Sequence, residues 1–293
     1  MAKINCKEIA ANIREEIKSE ASVFYRKPKL ATILVGDRAD SQVYVKNKEK
    51  TLESVGFEYE TFTLLADTPQ ESVEALVRRL ANDNSIDGIL IQLPLPTHLD
   101  AEKIISLIPY YKDVDGLTEK NQAMLMMGKS WDDFIQPCTP LGIVKILEEE
   151  YATSLEGFSV AVIGRSNLLG NPLAQMLMRK NCTVTHLHSK SNIYQSLKMV
   201  QPDIICLCTG QKNLLSAYKI AELKLHGLTS TIIDAGIIRD ENGLRGDFRK
   251  EDYDILDDIG IDYTSVPGGV GVMTTTMLAY NLAKCFKLHM KNI

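Results

Sequence analysis

The sequence predicts an α/β fold with two domains. Apolar runs of strand length alternate with amphipathic stretches of helix length along nearly the whole chain, a pattern typical of parallel sheets covered by helices. At 293 residues the chain is long enough for two domains. In its second half, a loop containing glycine joins a buried strand to a helix, as in domains that bind nucleotides.

The composition is that of an ordinary globular protein and argues against several classes of partner. Hydrophobic residues make up 45% and charged residues 24% of the chain, and the formal net charge is −5. This charge gives no general attraction to nucleic acid or to an anionic membrane, so neither partner is expected. The six cysteines form no C-x-x-C pair, and the N-terminus is charged and periodic rather than a signal peptide. We therefore expect a cytoplasmic protein without a metal site.

The apolar and amphipathic segments give the predicted elements in chain order. Eight strands are expected, at Leu30–Gly36, Tyr59–Leu65, Asp87–Gln92, Phe158–Gly164, Thr183–His188, Asp203–Thr209, Thr231–Gly236 and Asp262–Val266. Six helices are expected, at Ser41–Val55, Pro69–Ala81, Leu141–Tyr151, Pro172–Lys180, Ser216–Leu223 and Val272–Lys287. A boundary near Pro137–Pro140 divides the chain into a first domain, 1–138, and a second, 139–271, and the C-terminal helix, 272–293, is expected to join the first.

The clearest local motif is the loop with glycine in FSVAVIGRSNLLGNP. A buried strand ends at Gly164 and a helix opens around Gly170–Pro172. Glycine lets the backbone turn tightly and approach a pyrophosphate, whose charge the helix N-terminus stabilises. The spacing departs from G-x-G-x-x-G, so a purely structural turn is the alternative. The order of strand, loop, helix and strand favours a Rossmann-type domain.

The end of the next strand distinguishes the two nicotinamide cofactors. An NAD site usually has an acidic residue there to bind the ribose hydroxyls, whereas this chain has the run His188–Ser191 (HSKS). Arg165, in the first loop, has a guanidinium that can pair with a phosphate. The two features favour NADP; the alternative is that Arg165 and Lys190 are ordinary surface charges. His186 and His188 alternate along the same strand without a third ligand nearby, so they do not predict a metal site.

A helix in the first domain contains a tyrosine and a lysine on one face. Tyr44 and Lys48, in DSQVYVKNKEKTLESVG, are four residues apart. A ring beside an amine suits a flat heteroaromatic substrate and proton transfer, although the spacing alone favours an ordinary basic surface. Short-chain dehydrogenases also have a Tyr-x-x-x-Lys pair, but in them it follows the glycine loop. Here Lys48 precedes Gly164 by 116 residues, so that interpretation fails.

Eight short segments between Val35 and Thr274 match, in the same order, those of a known protein family. They are VGDRADSQVYVKNKEK, GILIQLPLP, KDVDGL, PCTPLG, GRSNLLGNP, HSKS, DAGI and PGGVGVMT. Together they resemble the bifunctional methylenetetrahydrofolate dehydrogenase/cyclohydrolase family. The resemblance implies an N-terminal α/β catalytic domain, a Rossmann-type NADP-binding domain and a folate cleft between them. It also implies a homodimer that acts on one-carbon derivatives of tetrahydrofolate.

The resemblance places functional residues at particular positions. It implies that the catalytic residues are Lys48, Tyr44, Gln92 and Asp115. The cofactor contacts that it implies, with the loop glycine added, are Gly164, Arg165, Ser166, Gly170, Ser189 and Ile237. The implied substrate contacts are Tyr44, Asp115, Pro267, Gly268 and Gly269. In this scheme Gln92 hydrogen-bonds Lys48, and Asp115 accepts hydrogen bonds from the pterin-like ring.

Three segments depart from the family pattern, and three other functions are alternatives. Val272 stands where proline is usual, Ala123 where glycine is common, and GDFRKED replaces the commoner GDV pattern. One alternative is a two-domain NADP enzyme similar to shikimate dehydrogenase, which would leave KDVDG and PGGVG unexplained. The others are a protein that binds folate or nucleotide without catalysis, and a family member that has the dehydrogenase but not the cyclohydrolase activity.

Overall fold

The computed structural model describes residues 3–152, 154–211, 214–228, 230–240 and 243–292. The chain divides into two compact units. The first unit comprises Ala11–Cys138 and Thr275–Ile293, and the second comprises Met1–Ala10 and Thr139–Thr274. The predicted domains, 1–138 with 272–293 and 139–271, stay a prediction that this division supports.

The first unit is built on a parallel sheet of three strands. β1 (Lys29–Val35) lies between β2 (Glu58–Leu64) and β3 (Gly88–Ile91). β1 and β3 are almost wholly buried, whereas β2 has only exposed and half-buried residues. The core of the unit forms where apolar residues of β1 and β3 pack with Val73 and Val77.

Both units contain helices. In chain order they are α1 (Cys6–Ala21), α2 (Ala39–Ser54), α3 (Gln70–Ala81), α4 (Ala101–Ser106), α5 (Glu119–Met126), α6 (Cys138–Tyr151), α7 (Gly170–Arg179), α8 (Ile193–Val200), α9 (Ala217–Leu225), α10 (Lys250–Asp258) and α11 (Val270–Asn292). α2, which carries Tyr44 and Lys48, buries Ser41, Val45 and Leu52. It ends where Gly56, at φ +78°, takes up the left-handed conformation that suits glycine.

The second unit contains a parallel sheet of four strands. These are β4 (Ser159–Ile163), β5 (Thr183–Leu187), β6 (Ile204–Leu207) and β7 (Thr231–Asp234), in the spatial order β5-β4-β6-β7. β5 and β6 lie on opposite sides of β4, so the direction of strand addition reverses there. In open α/β sheets, ligands bind outside the carboxyl ends of the strands at such a reversal. An antiparallel pair, β8 (Ile238–Asp240) and β9 (Gly243–Arg245), follows β7.

The predicted elements match the structure except at one strand. The first seven predicted strands and the six predicted helices are present, with shifted ends. The prediction of a strand at Asp262–Val266 is wrong. This segment makes only isolated bridges, at Tyr263 with Lys3 and Ile232. The next main-chain N–H on that edge of β7, that of Asp234, donates to the Thr264 hydroxyl at 2.9 Å rather than to a main-chain carbonyl.

Two family departures are accommodated locally. α11 begins at Val270, two residues before the predicted start, and the main-chain N–H of Val272 donates to the Gly269 carbonyl at 3.1 Å. Proline at that position would lack this donor. Phe248, of GDF, is fully buried in the core of the second unit. No described helix is long and apolar enough to cross a membrane.

Candidate active site

Lys48 and Gln92 lie together in the first unit, as the sequence predicts. Lys48 projects from α2, and Gln92 follows the last residue of β3. The Lys48 Nζ donates to Gln92 Oε1 at 3.2 Å. Gln92 is 6% exposed, and its Nε2 donates to the Leu93 carbonyl at 2.7 Å. That second bond sets the amide orientation, so Oε1 faces the lysine. Tyr44, half-buried, lies one turn before Lys48 on the same helix.

The two aspartates of KDVDGL have different surroundings. Asp113 is buried and accepts hydrogen bonds from the main-chain N–H groups of Leu117 and Thr118 and from the Asn121 side chain, at 3.2, 2.7 and 2.8 Å. Burial raises the pKa of Asp113 above its usual value. Asp115 is only half-buried. Asp113 is therefore a structural turn cap, which leaves Asp115 as the carboxylate available to a ligand.

Cys138 and Asn281, neither of them a predicted site residue, connect this loop to the rest of the first unit. The Cys138 thiol donates to the Val114 carbonyl at 3.4 Å. Burial, followed by the charge of Asp115, raises the pKa of this thiol well above its usual range, while Lys48 opposes the rise. The Asn281 amide donates to the carbonyls of Val114 and Gln136, at 3.0 and 2.8 Å.

A cavity of about 140 Å³ lies at the carboxyl ends of β4, β5 and β6 in the second unit. It is lined by Ile163, Gly164, Arg165, Ser166, His188, Ser189, Cys208, Thr209, Gln211 and Leu214. Four predicted cofactor residues are thus brought together: Gly164, Arg165, Ser166 and Ser189. The cavity lies where the sheet reverses its order of strand addition, the position expected for a nucleotide.

Glycine is required at two positions beside this cavity. At Gly164, φ is +129° and a Cβ would lie 2.4 Å from the Cys208 carbonyl oxygen. At Gly170, the first residue of α7, a Cβ would lie 2.0 Å from the Gly164 carbonyl oxygen. The start of α7 therefore packs directly against the end of β4. Gly170 does not line the cavity itself, and its role there is close packing.

The chemical character of the cavity fits an anionic nucleotide. Among its described lining residues, Arg165 is the one permanent cation and none is acidic. Ser166, Ser189 and Thr209 add hydroxyl groups. His186 does not line the cavity, since its Nε2 lies 2.6 Å from the Gly164 carbonyl oxygen. Within the described parts of the chain, no group of three or more His, Cys, Asp or Glu side chains could hold a metal ion.

The other predicted site residues lie outside this cavity lining. Ile237 is 57% exposed, and its carbonyl oxygen would lie 3.6 Å from a Cβ at Gly210. The PGG turn follows Val266, whose main-chain N–H donates to the Tyr253 hydroxyl at 3.1 Å. At Gly269 a Cβ would lie 2.5 Å from the Ser265 carbonyl oxygen, so this turn also needs glycine.

The residues that the sequence analysis missed are mainly those that hold the site together. Cys138 lies inside the recognised PCTPLG segment but carried no predicted role. Thr209 is the last residue of a predicted strand and Gln211 follows it, and their position at a carboxyl end is a signal that they line the cavity. Asn281 has no local signal, because the two carbonyls it binds are 167 and 145 residues away in sequence.

Comparison with protein families identifies the chain. A model of the tetrahydrofolate dehydrogenase/cyclohydrolase catalytic domain matches residues 4–115, and a model of the NAD(P)-binding domain of the same enzymes matches residues 137–290. The chain belongs to the tetrahydrofolate dehydrogenase/cyclohydrolase family. Membership confirms the predicted family, the two-domain α/β fold class, the enzyme class and its function, and the nicotinamide dinucleotide cofactor.

Individual family members are similar over the whole chain. The Listeria innocua bifunctional protein FolD is 40% identical over 288 residues, which cover 97% of this chain and 96% of that protein. The crystal structure of FolD from Campylobacter jejuni is 35% identical with a TM-score of 0.86, covering 98% of this chain and 99% of that one. The Trypanosoma brucei enzyme, solved with NADP and an inhibitor, is 31% identical with a TM-score of 0.85, covering 98% and 97%.

Proposed function

We propose that this chain oxidises methylenetetrahydrofolate to methenyltetrahydrofolate with NADP and then hydrolyses the product to formyltetrahydrofolate. The Lys48–Gln92 hydrogen bond, in a chain of this family, carries the proposal. Lys48, Tyr44, Gln92 and Asp115 are the proposed catalytic residues. They all belong to the first unit, whereas the nucleotide cavity belongs to the second.

Lys48 is the proposed proton-transfer group of the cyclohydrolase reaction. Water adds to the methenyl carbon and loses one proton, which gives a neutral hydroxyl adduct. The hydroxyl of this adduct loses its proton as the bond from the carbon to one ring nitrogen breaks, that nitrogen gains a proton, and one proton is released overall. Lys48 Nζ is the proposed group that moves these protons, because its hydrogen bond to Gln92 Oε1 fixes its position. General acid–base catalysis of this kind contributes roughly 100- to 10,000-fold to the rate.

Tyr44 and Asp115 are the proposed residues that orient the folate. The Tyr44 ring lies one turn from Lys48 and offers a flat surface for the ring system. Asp115, half-buried and next to Cys138, can accept hydrogen bonds from the amino-pyrimidine edge. We also propose that the turn Pro267–Gly269 contacts the folate, as the family resemblance implies.

The lining of the nucleotide cavity supports NADP over NAD as the preferred cofactor. NADP accepts the hydride that leaves the one-carbon bridge. Arg165 is the proposed partner of the 2′-phosphate, because it is exposed at the cavity and has no acidic neighbour among the described lining residues. Gly164, Ser166, Ser189 and Ile237 are the remaining proposed cofactor contacts. Gly170, predicted with them, is proposed to serve the cofactor site by packing the start of α7 against Gly164.

We further propose a cytoplasmic homodimer that supplies formyl groups for purine biosynthesis and binds neither nucleic acid nor membrane. The net charge of −5 and six buried free cysteines support this setting. The dimer rests on the family resemblance, with the last strand and helix of the NADP domain as its proposed interface. Light scattering of the purified protein tests it: about 65 kDa is expected from a 32.7 kDa chain, and about 33 kDa would contradict it.

Two assays on purified protein test the proposed reactions separately. In the first, methenyltetrahydrofolate is supplied without nucleotide, and its absorbance should disappear far faster than in buffer. In the second, methylenetetrahydrofolate is supplied with NADP or with NAD, and NADP should give the higher kcat/KM. If methenyltetrahydrofolate is not hydrolysed faster than in buffer, the proposed cyclohydrolase activity is contradicted. If NADP and NAD give equal kcat/KM values, the proposed preference for NADP is contradicted.

A further inference from the structure

Two buried carboxylates lie behind the nucleotide cavity of the second unit. Asp234, at the end of β7, is 0% exposed, and Asp247, before α10, is 3% exposed. They belong to the DAGI and GDF segments. Neither is a proposed cofactor or substrate contact, yet both are hydrogen-bonded to several neighbours. Buried charges are retained only where the surroundings satisfy them, so their partners indicate what they do.

Asp247 binds the loop that follows β6. Its Oδ2 accepts a hydrogen bond from the Thr209 main-chain N–H at 3.2 Å. Its Oδ1 accepts from the Thr209 hydroxyl and from the Gln211 main-chain N–H, both at 2.9 Å. Thr209 and Gln211 line the nucleotide cavity. One buried carboxylate therefore holds both ends of a three-residue segment, 209–211, that faces the cofactor site.

Asp234 holds Asp247 in place. Its Oδ1 accepts from the Asp247 main-chain N–H at 2.9 Å, and its Oδ2 accepts from the Phe248 main-chain N–H at 3.1 Å. Glycine allows this close approach, because a Cβ at Gly246 would lie 2.1 Å from Asp234 Oδ2 and one at Gly236 would lie 2.6 Å from Asp247 Cγ. The position of Asp247 is thus set by contacts with residues that do not line the cavity.

The donors around Asp247 require a group that only accepts hydrogen bonds. An ionised carboxylate has two accepting oxygens, whereas an asparagine side chain has one oxygen and one donating amide. In either orientation, asparagine at 247 would direct N–H groups at N–H or O–H groups of segment 209–211. Since this group is buried, such a conflict is not relieved by water.

We propose that Asp247 is a positioning residue for NADP: its carboxylate, held by Asp234, keeps segment 209–211 in the conformation that lines the nucleotide cavity. The inference rests on the proposed function, because it requires NADP to bind in this cavity. It assigns the GDF segment a role in cofactor binding through Thr209 and Gln211.

The test is Asp247→Asn, with both activities measured on the same preparation. The KM for NADP should rise roughly tenfold, since a buried charged hydrogen-bond set is broken. The kcat at saturating NADP and the KM for methylenetetrahydrofolate should stay within about twofold of the parent values. Cyclohydrolase turnover without nucleotide should be unchanged, which a general loss of structure would not allow.

Asp203→Asn is the matched control. Asp203 also accepts a main-chain hydrogen bond, from Ser159 at 2.8 Å, but it precedes β6 at the amino end of the same sheet. This variant should leave the KM for NADP unchanged. Thr209→Val removes the hydroxyl that donates to Asp247 and accepts from the Gln211 main-chain N–H at 3.1 Å, while the two main-chain bonds to Asp247 remain. It should raise that KM by a smaller factor, and it decides the matter if Asp247→Asn fails to fold.

The inference is overturned if the KM for NADP stays at the parent value in Asp247→Asn, or if the KM values of both substrates rise together. An unchanged KM in Thr209→Val, with Asp247→Asn unfolded, also overturns it. Failure of the parent protein to bind NADP would instead contradict the proposed function, so the two failures are distinguishable.

Discussion

The Lys48–Gln92 pair shows how two ordinary side chains form a specific site. Gln92 follows a buried strand, and its amide nitrogen is already bound to the Leu93 carbonyl. The oxygen is then the part of the amide that faces Lys48, at 3.2 Å. The amide oxygen accepts a hydrogen bond from the amine but does not take its proton. Lys48 is therefore held in place and can still give and take protons.

Replacing Lys48 tests this role. Lys48→Met should lower cyclohydrolase kcat by at least roughly 100-fold, because the proton-transfer group is lost, while the Kd for NADP stays near the parent value. Hydrolysis of methenyltetrahydrofolate and nucleotide titration measure the two effects. Lys46→Met, an exposed lysine on the same helix, is the control and should keep full activity. Unchanged turnover in Lys48→Met would reject the assignment.

Arg165 is the test of cofactor preference. Arg165→Ala should raise the KM for NADP by roughly tenfold or more, since a charged pair with the 2′-phosphate is lost, and should change the KM for NAD little. Initial rates with each nucleotide give both values. NAD, which lacks the 2′-phosphate, is the internal control, and an equal rise for both would show that Arg165 does not read that group.

Asp115 is expected to act on the folate alone. Asp115→Ala should raise the KM for the folate substrate roughly tenfold, because the ring loses a charged acceptor, and should leave the Kd for NADP unchanged. Asp67→Ala, an exposed carboxylate of the same unit, controls for the change in net charge. Parent-like folate binding by Asp115→Ala would make Asp115 a structural loop residue, like Asp113.

At the residue scale, the sequence predicts those site residues that lie within a recognisable sequence motif. Lys48, Gln92 and Asp115 lie in motifs that resemble those of a known family, and the structure brings the first two into contact. Asn281 and Asp247 have no such signal, because their partners are distant in sequence. Hydrogen bonds of this kind depend on the packing of whole elements, which local patterns do not contain.

At the scale of elements, the start of α7 is the most constrained junction of the nucleotide site. Gly170→Ala should abolish NADP-dependent oxidation and destabilise the protein by about 1–3 kcal/mol, because the new methyl group meets the Gly164 carbonyl oxygen. Gly271→Ala is the control, since a Cβ there enters open space. Oxidation rates and thermal unfolding measure the effects, and parent-like NADP binding by Gly170→Ala would contradict the assigned packing.

The elements themselves follow largely from periodicity and apolar runs. Buried strands such as β1 and β4 are short apolar runs, and their positions are predicted to within about two residues. The segment Asp262–Val266 (DYTSV) is more polar than these runs and makes only isolated bridges. The hydroxyl of Thr264 replaces a main-chain partner there, and no sequence pattern signals that exchange.

At the scale of the molecule, a half-buried lysine makes stability depend on pH. Lys284, on α11, donates to the Trp131 carbonyl and to Gln136 Oε1, and burial lowers its pKa from 10.5 to about 8. Between these values the unfolded chain binds more protons than the folded one, so the free energy of unfolding rises with pH. The contribution is complete above 10.5 and is lost as the pH falls through about 8.

Denaturant unfolding at pH 7.5 and 9.5 tests this dependence. The parent should gain on the order of 1 kcal/mol over Lys284→Met across this interval, since other groups titrate alike in both proteins. An identical pH dependence in the two proteins would show that Lys284 keeps an ordinary pKa in the folded state.

The fold class and the two-part organisation are predictable because they rest on features that span the chain. Alternating strands and helices, a glycine loop after β4 and the absence of an acidic residue after β5 all lie in continuous sequence. The sequence leaves a purely structural turn as the alternative to a nucleotide site, and the cavity at the reversal of strand order supports the nucleotide site. That cavity depends on which strands are neighbours, information held by the three-dimensional structure.

The most direct test of a bifunctional enzyme is to follow both products in one reaction. Purified protein is given methylenetetrahydrofolate and NADP, and NADPH and methenyltetrahydrofolate are recorded together. We expect NADPH to form with much less methenyl product than NADPH, because the cyclohydrolase consumes it. Equal accumulation of the two would show a dehydrogenase without effective cyclohydrolase, and formation of neither would contradict the proposed function altogether.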